Sequence, residues 1–237
     1  MSNYIPEVWK IMDIDFNGNK KKFIFQEIPE NKYDEILGKF LHGFMREETI
    51  CNSLNLLNDP ESIISLQNAW KNILQQRISI GVFECNENDE LKLAGCNILS
   101  VKNLKSEIIM KPEPNTCLTQ VDKIFNFFCE LTSKSNLQEL FGDQNYIASD
   151  GLYIYPEYRK LGLAKQLLKL RHDIGKKYNI MYTKTFFTSN ISQTLAESEG
   201  FETVLNYDYK DAVDHEQNIL FPSLEGKYIK CMIKYLL

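Results

Sequence analysis

The spacing of apolar residues along the chain predicts both helices and strands. Apolar residues at three- and four-residue intervals predict helices over 30–45, 58–77, 118–133, 161–177 and 191–200. The second helix has the clearest start, because Asp59 is a favoured N-cap residue and Pro60 a favoured first helical residue. The segment 135–141 either extends the third helix or forms a short one after it.

Shorter apolar segments, some of them strictly alternating, predict strands. These segments cover residues 21–28, 78–85, 91–101, 146–155, 180–189, 201–209 and 228–236. The polar turn 86–90 joins the second and third strands, which predicts an antiparallel hairpin. Because the later strands alternate with helices, we expect an α/β fold whose central sheet contains both parallel and antiparallel pairs.

The chain of 237 residues is long enough for one large domain or two small ones. No repeat or Gly/Ser-rich linker divides it, and the segment 102–116 is predicted to be a surface loop because Pro112 and Pro114 exclude regular structure there. A chain of this length buries about 70% of its unfolded surface, so its stability requires neither a metal ion nor a disulfide.

Composition argues against several classes of protein. The 27 basic and 32 acidic residues give a net charge of −5, which disfavours nucleic-acid binding and suits cationic small molecules. A membrane span needs about 18 consecutive apolar residues, and neither such a segment nor a signal peptide is recognisable, so we expect a cytoplasmic protein with no membrane partner. The six cysteines, Cys117 among them, and the three histidines lack metal-ligand spacing, so we expect reduced packing cysteines and no metal.

The segment from Tyr155 to Leu170 breaks two local rules of helix formation. Gly162 lies in the first turn of the predicted helix, where alanine would be better by roughly 0.5–1 kcal/mol. Arg159, Lys160 and Lys165 add positive charge to a helix N-terminus that is already partly positive. Both features suit a strand-to-helix turn that binds phosphate through its free N–H groups. A surface turn with solvated lysines explains them equally well.

Residues 159–164, Arg-Lys-Leu-Gly-Leu-Ala, match the R/Q-x-x-G-x-G/A signature of the GCN5-related N-acetyltransferase superfamily. In that superfamily, this turn binds the pyrophosphate of acetyl-CoA. The segment 188–201 resembles the second superfamily motif, an Asn/Ser-rich strand end followed by a short helix and a closing Gly-Phe. The segments IPEVW, GFMREETIC, DPES and LNYDYKD resemble the insect arylalkylamine N-acetyltransferase-like group.

The resemblance implies a single N-acetyltransferase domain over residues 1–237, with an acetyl-CoA-binding core over 152–201. Its sheet would contain a splayed parallel pair of strands, flanked by helices, with pantetheine lying in the gap. The residues that the resemblance assigns to acetyl-CoA are Leu152, Tyr153, Ile154, Arg159, Lys160, Leu161, Gly162, Leu163, Ala164, Lys165 and Asn190.

The resemblance also implies how acetyl transfer to a primary amine would be catalysed. An ammonium substrate needs a base to free its lone pair. The glutamate of the insect D-E-P segment corresponds to Glu48, although the proline is absent here. In many members a tyrosine on the short helix protonates the departing CoA thiolate, and the residue at that position here is Ala196. The insect group instead has hydroxyl side chains that correspond to Thr188 and Ser192. A solvated acidic patch would equally explain Glu48, and helix capping would explain Ser192.

We therefore expect an arylalkylamine N-acetyltransferase that uses acetyl-CoA as co-substrate and a small-molecule amine as acceptor. Two alternatives remain open: a polyamine or other aliphatic amine as acceptor, or a CoA-binding protein with weak catalysis. The sequence identifies neither the amine nor the oligomeric state. Six aromatic residues either line an aryl pocket or pack in the core: Phe44, Trp70, Phe186, Phe187, Tyr207 and Tyr209.

Overall fold

The computed structural model describes residues 4–16, 18–105, 119–214, 216–222, 224 and 227–237. Within these ranges, eight strands form one sheet in the order β1-β2-β3-β4-β5-β6-β8-β7. The strands are β1 (Val8–Phe16), β2 (Asn19–Glu27), β3 (Ile80–Cys85), β4 (Leu91–Asn103), β5 (Asn145–Ile154), β6 (Tyr182–Phe187), β7 (Glu202–Asp208) and β8 (Tyr228–Tyr235). Among the described strands only β5 and β6 pair in parallel, so the predicted α/β fold with a mixed sheet is confirmed.

The helices cover both faces of this sheet. They are α1 (Tyr33–Lys39), α2 (Met45–Glu47), α3 (Thr49–Ser53), α4 (Pro60–Leu74), α5 (Gln120–Lys134), α6 (Leu137–Phe141), α7 (Leu163–Tyr178) and α8 (Asn190–Ser198). On β6, Lys184 contacts α5 and its neighbours Thr183 and Thr185 contact α7. Because adjacent strand residues point to opposite faces, α5 and α7 lie on opposite sides of the sheet.

The predicted start of α4 is confirmed: Asp59 accepts a hydrogen bond from the N–H of Ser62, and Pro60 is the first helical residue. The predicted helix over 30–45 is instead interrupted, because a π-helical turn, Phe40–Phe44, separates α1 from α2. Strand β1 was not predicted, although Met12 to Phe16 alternate between apolar and polar residues; it is an edge strand, and each of its residues is exposed or half-buried.

The predicted loop 102–116 begins later than expected, because β4 continues to Asn103. Residues 106–116 of that loop, and Cys117, lie outside the described residues. Cys51 and Cys96 are buried thiols, and burial raises the pKa of each, in keeping with a packing role. No helix in the described ranges is long and apolar enough to cross a bilayer.

Strands β5 and β6 separate after three residue pairs, the last of which joins Ala148 to Lys184. Beyond this pair β5 runs on to Ile154 and β6 to Phe187 without further pairing between these described residues. A bulge in β5 accompanies the separation, since its register against β4 shifts between Ile98 and Leu99. We call the gap between residues 149–154 and 185–187 the fork. The predicted splayed parallel pair is therefore confirmed.

Candidate functional site

The turn that leads from β5 into α7 leaves backbone N–H groups uncapped. Gly162 is the N-cap residue of α7 and not, as predicted, a residue of its first turn, because the helix begins only at Leu163. Its φ of +75° lies in the left-handed region that favours glycine, and a Cβ added there would meet nothing within 4 Å. No side chain within the described ranges caps this helix, so its first N–H groups remain available to an anion.

Two of the cations assigned to the phosphate turn are paired with carboxylates. Nη2 of Arg159 lies 2.6 Å from Oε2 of Glu47, and its Nε donates to the carbonyl oxygen of Ile154 at 3.0 Å. Nζ of Lys165 lies 3.0 Å from Oε1 of Glu199. Arg159 and Glu47 are both more than 40% exposed, so exchanging Glu47 for a ligand phosphate would cost little, whereas the partner of Lys165, Glu199, is buried. Lys160, also in a left-handed conformation, is exposed.

Glu47 connects the fork to the phosphate turn. Besides pairing with Arg159, it accepts a hydrogen bond from Oη of Tyr153 at 3.1 Å. Burial raises the pKa of Tyr153, and the charge of Glu47 raises it further, so the phenol stays protonated and donates. Sequence reasoning missed this role, because Glu47 and Arg159 lie 112 positions apart and neither residue's neighbours indicate the pairing.

The structure brings the predicted residues Glu48 and Thr188 together. Oε1 of Glu48 accepts a hydrogen bond from Oγ1 of Thr188 at 2.7 Å, and Oε2 accepts one from the backbone N–H of Cys51 at 2.8 Å. A carboxylate has about four acceptor positions, so these two bonds leave room for water or substrate. Thr188 directly follows β6, so this pair holds Glu48 beside the open end of the fork.

The second predicted hydroxyl, that of Ser192, serves as part of a helix cap. Its Oγ donates to the carbonyl oxygen of Ser189 at 2.8 Å, and the two serines form the capping box of α8. Asn190 is the exposed first residue of this helix. Ala196, at the position of the absent tyrosine, is fully buried.

Aromatic side chains flank the fork on the face that carries Glu48. On the β5 side, Phe44 packs against Tyr153 and Trp70 with ring centroids 6.3 and 6.2 Å apart. On the β6 side, Phe186 stacks on Phe128 at 5.0 Å. Phe186 is two residues before Thr188 and half-buried. We call these two groups the aromatic walls.

The other three aromatic candidates lie elsewhere or pack in the core. Phe187 points to the opposite face of β6 and packs against Phe201 at 5.6 Å. Tyr207 packs against Phe127 at 5.9 Å. Tyr209 is buried, and its Oη donates to the carbonyl oxygen of Thr188 at 3.0 Å. Tyr209 therefore supports the residue that holds Glu48 and is not a wall of the fork.

Gly43 brings the π-helical turn close to the fork, since a Cβ there would lie 2.7 Å from the ring of Tyr153. We expect Gly43→Ala to lower the free energy of unfolding by about 1–2 kcal/mol through overpacking. Gly38→Ala is a matched control in the same helical segment, where a Cβ meets nothing within 4 Å. It should raise the free energy of unfolding by about 0.5–1 kcal/mol. Urea unfolding measures both, and equal changes would contradict the close approach at Gly43.

The mixed sheet, the fork and the strand-turn-helix unit β5–α7 define the fold of the GCN5-related N-acetyltransferases, as the sequence resemblance implied. Solved insect arylalkylamine N-acetyltransferases share this fold. No protein-family model and no curated protein matches the sequence.

Three solved structures illustrate the likeness. A protein of the yellow fever mosquito Aedes aegypti, described as arylalkylamine N-acetyltransferase 7, is 21% identical with a TM-score of 0.85, over 99% of this chain and 97% of that one. Arylalkylamine N-acetyltransferase 2 of Aedes aegypti is 20% identical with a TM-score of 0.75, over 91% and 99% of the two chains. The Drosophila melanogaster polyamine N-acetyltransferase, which forms N-acetylagmatine, is 11% identical with a TM-score of 0.70, over 90% and 100%. At such identities the likeness establishes the fold.

Proposed function

We propose that this protein is an acetyl-CoA-dependent N-acetyltransferase that acts on the primary amine of a small arylalkylamine. The observation that carries the proposal is the position of Glu48, which is hydrogen-bonded to Thr188 beside the open end of the fork. The aromatic walls lie on the same face. A base, a gap for the donor and apolar surface for an aryl group are thus adjacent.

The fork and the phosphate turn fit acetyl-CoA. No described strand pairs with the edge of β5 that faces the fork, so Leu152, Tyr153 and Ile154 are the candidates to contact pantetheine there. The carbonyl oxygen of Ile154 already accepts a hydrogen bond from Nε of Arg159. Residues 161–165 would bind the pyrophosphate through their N–H groups, with Arg159 and Lys160 adding positive charge. Asn190 is a further candidate for binding pantetheine. When bound, acetyl-CoA supplies an acetyl group activated as a thioester.

Glu48 would serve as the general base. The acceptor positions that Thr188 and Cys51 leave open allow Glu48 to take a proton from the substrate ammonium through a water molecule, which frees the nitrogen lone pair for attack. Thr188 and the N–H of Cys51 hold the carboxylate in one orientation. Ser192 is the candidate hydrogen-bond donor to the departing thiolate, and in that role it would give up its bond to Ser189.

The two alternatives make different demands on the same site. A polyamine would use the carboxylates of Glu47 and Glu48 to bind its cationic groups and would gain little from the aromatic walls. The walls favour an aryl group, because ring-to-ring packing is worth about 0.5–1.5 kcal/mol beyond burial alone. A protein that only binds CoA would need the fork and the phosphate turn but not the Glu48–Thr188 pair.

A thiol-release assay with acetyl-CoA separates these functions. The acceptors are a phenylethylamine, an indole-ethylamine, an imidazole-ethylamine and a polyamine, each at several concentrations. We expect the highest kcat/KM with a phenyl- or indole-ethylamine. A higher value with the polyamine would assign the alternative substrate class. Calorimetric binding of CoA without thiol release from any acceptor would indicate a binding protein, and the absence of both would overturn the proposal.

Glu47→Gln should strengthen CoA binding by about two- to fivefold, because Arg159 loses a competing carboxylate and the turn loses a negative charge. Glu157→Gln is a suitable control, since Glu157 is an exposed acid two residues before Arg159. It removes the same charge without contacting Arg159, so we expect a smaller change. Calorimetric titration with CoA measures both variants. Weaker binding by Glu47→Gln would show that Glu47 supports the donor site directly.

A further inference from the structure

Arg171, in the middle of α7, is fully enclosed under the fork, with 1% of its surface exposed. Its guanidinium donates four hydrogen bonds to neutral oxygens, those of Asn97, Thr183 and Thr185. Burial lowers the pKa of the guanidinium, an effect that the charge of Asp150 partly opposes. A buried cation whose hydrogen bonds all go to neutral groups is costly to a fold, so its position calls for a physical explanation.

Arg171 bonds β6 directly and reaches β5, the other arm of the fork, through Asn97 of β4. On one side, Nε and Nη2 both donate to Oδ1 of Asn97, at 3.2 and 2.9 Å. The amide of Asn97 in turn donates to β5, at Oγ of Ser149 and the carbonyl oxygen of Gly151, at 2.7 and 2.9 Å. These β5 residues flank the bulge at which the arm departs from its register with β4.

On the other side, Nη1 of Arg171 donates to β6, at Oγ1 of Thr185 and of Thr183, at 2.8 and 3.3 Å. Thr183 lies in the paired part of β6, and Thr185 is the first residue beyond the last pair with β5. The planar guanidinium therefore lies at the point where the strands separate, and it connects the arms by bonding β6 directly and β5 through Asn97.

We infer that Arg171 is a positioning residue for acetyl-CoA binding. Its side chain holds the two arms of the fork at the separation that pantetheine requires. This inference rests on the proposed use of acetyl-CoA. Methionine at this position would fill similar space without bridging the arms. Lysine would keep the charge but would offer one donor nitrogen instead of a planar group with three. Both changes should weaken donor binding, methionine more than lysine.

The test compares CoA affinity, measured by calorimetry, for wild type, Arg171→Met, Arg171→Lys and Lys184→Met. Lys184 is the matched control: it is also a buried cation, adjacent on β6, but it faces α5 and bonds Thr132 at 2.9 Å. We expect Arg171→Met to weaken CoA binding by about tenfold and Arg171→Lys by about threefold, whereas Lys184→Met changes it less than about twofold. With saturating acetyl-CoA, the KM for the amine should change less than about twofold in Arg171→Met.

Failure of wild type to bind CoA would reject the proposed function. Normal CoA affinity in folded Arg171→Met would overturn the inference and leave that function intact. An equal loss of affinity in Lys184→Met would also overturn it, since general destabilisation would then explain the effect. Should Arg171→Met not fold, Thr185→Val decides: it removes one bridging hydroxyl with little change of shape. Weakened CoA binding by this variant supports the inference, and unchanged binding contradicts it.

Discussion

Gly162→Val should raise the KM for acetyl-CoA by about tenfold or more while kcat changes less than about twofold. In the structure, the left-handed φ of +75° and the open space around the position of a Cβ leave the approach to the N-terminus of α7 clear. A valine side chain would project into this space and keep phosphate oxygens from the backbone N–H groups. Because the pyrophosphate is remote from the reacting carbonyl, the lost binding is uniform and affects KM.

Gly200→Val is the matched control for backbone strain. Gly200 has a φ of +77°, and a Cβ added there would meet nothing within 4 Å, as at Gly162, but this residue closes α8 and is not itself part of the phosphate turn; its neighbour Glu199 pairs with Lys165. Each substitution should lower the free energy of unfolding by about 1–3 kcal/mol, because valine is strained in this conformation. Only Gly162→Val should raise the KM. A similar rise in both variants would mean that strain explains the effect.

Glu48→Gln should lower kcat at neutral pH by about 100-fold, the size of effect typical of a lost general base. Glutamine has the same shape: its carbonyl oxygen can accept from the N–H of Cys51 and its NH2 group can donate to Oγ1 of Thr188, so the local structure should persist. It cannot accept a proton from the substrate. As pH rises, a larger fraction of the amine is already neutral, so the deficit should shrink towards alkaline pH.

Glu47→Gln separates loss of the base from loss of an acidic charge near the site. Glu47 bonds Tyr153 and Arg159 instead of Thr188, so its substitution should change kcat by less than about threefold. Steady-state kinetics across a range of pH with saturating acetyl-CoA compares the two variants. Unchanged kcat in Glu48→Gln, or a deficit that is the same at every pH, would exclude Glu48 as the base.

Local sequence signals predicted the elements that carry most of the fold. Asp59 and Pro60 predicted the start of α4, because capping and the preference for proline at the first position act within one turn. The strand before Arg159 and the helix after it were predicted from their apolar spacing. The left-handed conformation of Gly162 and the interruption of the helix at Phe40–Phe44 were not, since both depend on how the chain packs against the sheet.

The candidate site was only partly predictable for the same reason. Glu48 and Thr188 were identified singly from their motifs, and their hydrogen bond joins residues 140 positions apart. Nothing local indicated that Glu47 would pair with Arg159, or that Arg171 would connect Asn97 to Thr185. Such contacts arise from strand order and from the separation of β5 and β6. For Ser192, helix capping was the alternative to a catalytic role, and its hydrogen bonds are those of a cap.

We propose that acetyl-CoA bound in the fork transfers its acetyl group to an amine positioned beside Glu48. To test this transfer, the protein is incubated with a phenyl- or indole-ethylamine and with acetyl-CoA that is labelled in its acetyl group. The product is then analysed by mass spectrometry. We predict one labelled N-acetyl amine for each CoA thiol released, and a strongly reduced yield with Glu48→Gln at neutral pH. Thiol release without labelled amide, or labelled amide formed equally by both proteins, would contradict the account.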